Sequence, residues 1–400
     1  MKKRLSLMLS MLMLSCALTG CGDKKPSEAP PADGAAVPAY TSAEDLLGLS
    51  WDEIEAAAKQ EGELTFAVWD SEAEWSQLGK TFTDRYGVKV NLLAGGKTSV
   101  MDKILTELSG EASIDVMFLS GETVDGLIGA NALVPGILDK MEDKDVLVEG
   151  LSARKEGVSN EKGYWVPIST SPAGIVYNAD QVSADAVPQT IEELTRFIEE
   201  NPGRFGMCIP ENGGTGQGMM ETIIANMTGG LDQYLMPGSD GGCDPALLEK
   251  WSVVWDWFDE HKDQITFTTN NMDGITRLNS GEIWMVTAWN SSIFTSEKNG
   301  DLTIHHGFYV PDFGMCYSGE VMSMTVNSTH PAASLLFINW MTSVEAQNME
   351  GDLTGNLTSR TDLQQDICKL SAEDRAKNVD WMAACYKKQY IKDFTTNVLN

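Results

Sequence analysis

Beyond residue 50 the chain alternates between short apolar runs and segments whose apolar residues recur every three or four positions, and this alternation restricts the fold more than any other feature. A helix is expected over 51–60, a strand over 64–69 (LTFAVW), a helix over 75–86 and a strand over 88–93 (VKVNLL). Met101, Ile104, Leu105 and Leu108 then sit at helical spacing ahead of a third strand over 114–119 (IDVMFL). Strands separated by helices imply an α/β fold with a parallel sheet covered on both faces. Ligands meet such sheets at the carboxyl ends of the strands. Trp69, Asp70 and Glu72 after the first strand, with Trp75 just beyond, and Ser120, Gly121 and Glu122 after the third therefore share one rim as candidate binding residues.

A second series begins with a strand over 174–178 (GIVYN), shortly after Ser171, a further candidate. Thr190 and Glu193 have capping-box spacing for a helix carrying Ile191, Leu194 and Ile198, and the run GMCIP over 206–210 reads as the next strand. A helix over 251–258 leads to the strongly apolar strand 283–289 (IWMVTAW), which delivers Trp289, Asn290 and Ser291 to a rim loop. The segment GFYVPD over 307–312, including candidate Asp312, is expected to cross back to the first series, followed by helices packing through Leu336, Phe337 and Trp340. A body of this length with 42% hydrophobic residues can bury two cores. The expected organisation is 1–20 signal, 21–44 tether, 45–170 first lobe, 171–305 second lobe and 306–400 a return to the first lobe with C-terminal helices, the two crossings forming a hinge.

The amino terminus sets the compartment. Lys2, Lys3 and Arg4 precede an apolar run over 5–18 that is too short to span a bilayer comfortably, the pattern of an export signal. The run ends in LTGC over 18–21, which resembles the lipobox at which bacteria lipidate and cleave before a cysteine, here Cys21. Residues 22–43 (GDKKPSEAPPADGAAVPAYTSA) lack apolar periodicity and read as a flexible tether reaching about 25 Å. The formal net charge of −29 becomes −32 once Lys2, Lys3 and Arg4 are removed. So acidic a body repels polyanions, and nucleic acid is not expected as a partner.

Other chemistry is constrained by what the chain lacks. Cys208, Cys243, Cys316, Cys368 and Cys385 show no CxxC spacing, so no metal cluster is expected; Cys208 with Cys243, or Cys368 with Cys385, are open disulfide pairings. His305 and His306 would point to opposite faces of a strand and share no metal. The run GGKT over 95–98 has a P-loop's ending, but Asn91 stands where the first glycine is required, leaving Lys97 only as a residue able to touch solute. No GxSxG, HExxH or SxxK arrangement with partners suggests a hydrolase. The loop GGTGQG over 213–218 before a helix offers amides to an anionic group or serves as a turn, and makes Thr215 and Gly216 candidates.

The segments AAAKQEG (56–62), FTDRYGVKV (82–90), VPI (166–168), GIVYN (174–178) and TSVEAQ (342–347), in this order behind a lipobox, resemble family 1 extracellular solute-binding proteins over roughly 50–350. The resemblance implies a type II periplasmic-binding fold, two α/β lobes closing on a small solute, and docking on an ABC permease with ATP-driven subunits. It implies no catalysis and no cofactor, and a monomer held on the membrane by its lipid anchor. Val68 with Trp69, Ser120, and the run AWNS over 288–291 are similar to the spermidine/putrescine and thiamine-like branch. Within that likeness Trp69, Trp75 and Trp289 offer aromatic faces, and Asp70, Glu72, Glu122 and Asp312 offer carboxylates, to a cationic or zwitterionic solute. Sugars and phosphonates are alternatives, as are a sensor role and, last, a secreted enzyme. Ferric iron ranks low because no two tyrosines are adjacent.

Overall fold

The computed structural model describes residues 43–69, 71–148, 160–238, 241–365 and 369–400, with the backbone alone given for Glu44, Gly121, Glu122, Thr123 and Asp125. The signal segment, Cys21, the tether, Asp70 and Cys368 lie outside the described residues.

Eleven strands are found among the described residues: β1 (Glu63–Val68), β2 (Lys89–Ala94), β3 (Val116–Ser120), β4 (Val166–Asn178), β5 (Phe205–Cys208), β6 (Ile265–Thr268), β7 (Met285–Trp289), β8 (His306–Tyr309), β9 (Met315–Met324), β10 (Leu357–Thr358) and β11 (Asn378–Val379). The main path runs β2-β1-β3-β9-β4-β7-β5-β6. The first half is parallel where βαβ steps build it, with Phe66 of β1 opposite both Leu92 and Val116. The far half repeats this, β5 lying parallel to β6 and β7.

The sheet is mixed rather than wholly parallel because two long strands run antiparallel through its middle. β4 spans thirteen residues. Its first part pairs with β9 from Val166↔Met322 to Pro172↔Tyr317, and its last part pairs with β7 from Ala173↔Trp289 to Tyr177↔Met285. β9 in turn pairs with β3, Ser120 facing Glu320. The halves thus share two continuous strands. The segment expected to cross, 307–312, instead contributes β8, which pairs with β4 from Ile175↔Tyr309 to Asn178↔His306, and β9 makes the crossing.

Each half has its own core. In the first, Phe66, Trp75, Phe82, Phe118, Phe337 and Trp340 pack together. The helix Pro331–Met341 is nearly all buried there, with proline at its start. Its first amides are capped from another element: the Glu61 carboxylate accepts from Ala332 N at 3.1 Å and Ala333 N at 2.7 Å. In the second core Leu194, Met219, Tyr234, Trp251 and Phe258 pack with Tyr386, Tyr390 and Phe394, so the C-terminal helix Ala384–Phe394 belongs with the second half. Thr190 caps the helix Ile191–Glu200, accepting from Glu193 N at 3.2 Å. The returning Glu193 carboxylate takes the Gln189 amide at 2.8 Å. No helix among the described residues is long and apolar enough to cross a membrane.

Candidate functional site

β1, β3 and β7 all end on one side of the molecule, where the residues that follow or close them line a cavity of about 400 Å³. The first half contributes Trp69, Lys97, Phe118 and Ser120, and the second half Gly214, Gln217, Asn271, Trp289, Ser291 and Ser292. The crossing strands supply Ser171, Ser318, Gly319 and Glu320 to its wall, and Asn356, Trp381 and Lys387 come from the C-terminal part. Of the residues expected at the rim, the cavity gathers Trp69, Ser120, Ser171, Trp289 and Ser291.

Its first-half wall is aromatic and basic. Trp69 stacks on Phe118, centroids 4.9 Å apart and planes at 26°. The Lys97 ammonium lies 4.3 Å from the Trp69 ring centroid and donates to Ser120 Oγ at 3.1 Å. In the second half, Trp289 lies against the start of the helix Gly214–Thr228 so closely that a Cβ on Gly214 would come 2.8 Å from its ring. Ser171 Oγ donates to Ser291 Oγ at 3.0 Å and accepts from Ser291 N at 3.1 Å, tying β4 to the start of the helix Asn290–Asn299.

Other expected binding residues have structural places instead. Trp75 is fully buried between Phe66 and Phe118, at 5.4 and 4.5 Å, because it shares the inner stripe of the helix Glu72–Tyr86 with Leu78 and Phe82. Glu72 is exposed in that helix's first turn and does not line the cavity. Thr215 is buried, donating to Asn271 Oδ1 at 2.7 Å and accepting from Thr287 Oγ1 at 3.2 Å. Gly216 permits close packing, since a Cβ there would sit 2.0 Å from the Cys208 carbonyl oxygen. Asn290 is buried, donating to the Gly355 carbonyl at 2.9 Å and accepting from Lys369 N at 3.0 Å. Asp312 lies in a separate surface groove with Thr190 and Trp257, paired with Lys377 at 2.9 Å; this bond raises the Lys377 pKa. Gly121 opens the helix Gly121–Gly129 at the end of β3, while the Asp70 and Glu122 side chains lie outside the described set.

Gln217, Asn271, Asn356, Trp381 and Lys387 were not expected at the site. Trp381, whose indole donates to the Tyr317 carbonyl at 2.8 Å, and Lys387 are brought there by β11 pairing with β9, a contact with no local sequence signal. Cys208 forms no disulfide, so it is not paired with Cys243; burial pushes its thiol pKa up to about 11.

A larger open hollow of about 700 Å³ lies on the opposite face of the crossing strands, lined by Thr170, Pro172 and Tyr317, the alternating neighbours of Ser171 and Ser318. It adjoins Val148 and Gln365, where the described chain stops, and no β1, β3 or β7 terminus reaches it. The strand-end cavity is therefore the candidate site.

Two α/β halves joined by paired crossing strands, with a cavity between strand ends, define the hinged binding proteins of the type II periplasmic-binding class. The family model described as bacterial extracellular solute-binding protein matches residues 77–383, and the chain belongs to that family, whose members act outside the cytoplasm. Among curated proteins none matches. Iron-bound HitA from Pseudomonas aeruginosa is similar in fold at 18% identity and a TM-score of 0.61, covering 84% of this chain and 99% of that one. The spermidine/putrescine transporter substrate-binding protein PotD from Streptococcus pneumoniae gives 15% identity, a TM-score of 0.65 and 84% and 98% coverage. AfuA from Actinobacillus pleuropneumoniae, with fructose-6-phosphate bound, gives 16% identity, a TM-score of 0.59 and 84% and 99% coverage.

Proposed function

We propose that this protein captures a small organic solute in the strand-end cavity and delivers it to an ABC permease, held beside that partner by lipid on Cys21 and the tether over 21–44. The carrying observation is that residues of both halves and of the crossing strands line one cavity. A solute touching both walls favours the closed arrangement by its differential affinity for it, and that closure is the state a permease distinguishes. The lobes would correspond to 45–170 and 171–305, with the remainder completing both.

The wall chemistry refines the expected solute. Trp69 and Trp289 suit an organic body with an apolar or cationic face, and Glu320 is a carboxylate on the crossing strand beside them. Lys97 adds a cation that a polyamine would have to approach, so a zwitterionic solute uses this wall better than a purely cationic one. Relatives of the fold include the polyamine-transport protein and the sugar-phosphate complex noted above, which spans this choice.

Calorimetry of the full-length chain against amines, amino acids, sugars and phosphorylated compounds, repeated with Trp69→Ala and Trp289→Ala, tests the cavity. Binding lost in both variants while circular dichroism stays native is the expected result. Undiminished binding in both would place the solute elsewhere and overturn this reading.

A further inference from the structure

We propose that the solute carries an anionic group, a carboxylate or phosphoryl, held by the Lys97 ammonium and the helix start at Gly214. This deepens, and rests on, the assignment of the strand-end cavity as the solute site.

Lys97 is the first residue of the helix Lys97–Glu107, where a positive side chain opposes the positive end of the helix dipole. That placement is unfavourable unless negative charge comes close. The ammonium donates to Ser120 Oγ and faces the Trp69 ring, and among the described residues no carboxylate forms an ion pair with it. A lysine with three donors and one hydroxyl partner, facing a cavity, has bonding capacity left for a ligand.

Two further helices begin at the same cavity, Gly214–Thr228 and Asn290–Asn299. Like Lys97–Glu107, neither has an acidic residue in its first turn nor a side-chain cap from its N-cap residue, which is Gly213 in one and Trp289 in the other. Some helices away from the cavity are treated differently, although Ser252–His261 also lacks both features. Trp51–Glu61 carries the Ser50 capping box with Asp52 and Glu53, and Ile191–Glu200 carries Thr190 with Glu192 and Glu193. The helix Pro331–Met341 receives the Glu61 carboxylate on its first amides, which shows how this fold satisfies a helix start with an anion from elsewhere.

Lys97 therefore stands against the sign of the molecule, in a wall that also holds the Glu320 carboxylate. In a chain of formal charge −29 a general field repels anions, so a lysine with no carboxylate partner among the described residues, set beside the helix start at Gly214, suits the local capture of an anion. Gly214 fits the same purpose, since its missing side chain lets the helix start lie directly against the Trp289 face at the cavity.

The test titrates the full-length chain by calorimetry with glycerol 3-phosphate, inorganic phosphate, succinate and putrescine, comparing wild type with Lys97→Met, Lys97→Arg and Trp289→Ala. The expected result is binding of at least one anionic probe, weakened about 10- to 100-fold in Lys97→Met and largely kept in Lys97→Arg, as for a charge-assisted hydrogen bond. A response to glycerol 3-phosphate or phosphate alone assigns a phosphoryl group; a response to succinate alone assigns a carboxylate. Circular dichroism melting of each variant separates lost affinity from lost fold. Binding of putrescine alone, sensitive to Trp289→Ala, would keep the cavity and overturn the anionic group. Anion binding indifferent to Lys97→Met, or no response to any anion at millimolar concentration, also overturns it. Binding indifferent to both Lys97→Met and Trp289→Ala removes the cavity reading as well.

Discussion

Trp75 and Trp289 are expected to respond in opposite ways to truncation. Trp75→Ala empties a fully buried aromatic cluster and should cost about 3–5 kcal/mol of stability without selective loss of solute affinity. Trp289→Ala removes a cavity wall and should abolish binding while leaving the fold. Urea unfolding beside calorimetry distinguishes the two, and equal effects would contradict the assignment. Both tryptophans stand beside polar residues in the sequence, and what separates them is helical phase. Trp75, Leu78 and Phe82 recur on one side of a helix and are all buried, so the periodicity was already legible; weighing Trp75 as a ligand contact gave too much to its nearness to Asp70 and Glu72. Asp312 was illegible for another reason, because its partner Lys377 is remote in sequence. Cys208 gives a further prediction. With burial holding its pKa near 11, its thiol stays protonated at pH 8 and should escape alkylation by iodoacetamide in the folded protein, then react on unfolding; peptide mass spectrometry reads both states.

Among the elements, strands and helices of the βα steps were largely visible as alternating periodicities, and β1, β3 and β7 lie where apolar runs placed them. The exception is instructive: the segment around 307–312 is apolar and extended, which suits an added edge strand and a crossing strand equally. Only its pairing with Ile175–Asn178 rather than with the first half decides between them, and register is a tertiary property. The glycine-rich loop over 213–218 likewise allowed two readings. Gly214 opens the helix at the cavity, while Gly216 and Gly218 let that helix pack against Cys208 and Cys316. Gly216→Ala places a methyl group 2.0 Å from the Cys208 carbonyl oxygen and should lower stability by about 1–3 kcal/mol, measured by thermal melting. An unchanged melting temperature would show that the helix start moves freely, which the tight contact argues against.

At the scale of the whole molecule, two halves joined through the crossing strands should close when solute bridges them. Small-angle scattering is expected to show a smaller radius of gyration with saturating ligand, and identical curves would exclude closure as the signal. Cys21→Ala should move the protein from the membrane to the soluble fraction on ultracentrifugation, and retention would remove the lipid anchor. The two-half plan was legible because two series of βα steps recur along the chain. The contribution of the C-terminal part was not, since Trp381 and Lys387 reach the cavity through pairing of Asn378 with Met315 on β9.

The crossing strands are bonded to each other from Val166↔Met322 to Pro172↔Tyr317. Sliding one along the other would break several backbone bonds together, whereas twisting or bending the pair uses soft torsions. The movement left to the two halves is thus close to a single angle, like covers turning on a cloth spine. A membrane partner gripping both covers would need to read only that angle to learn whether the book is open or shut.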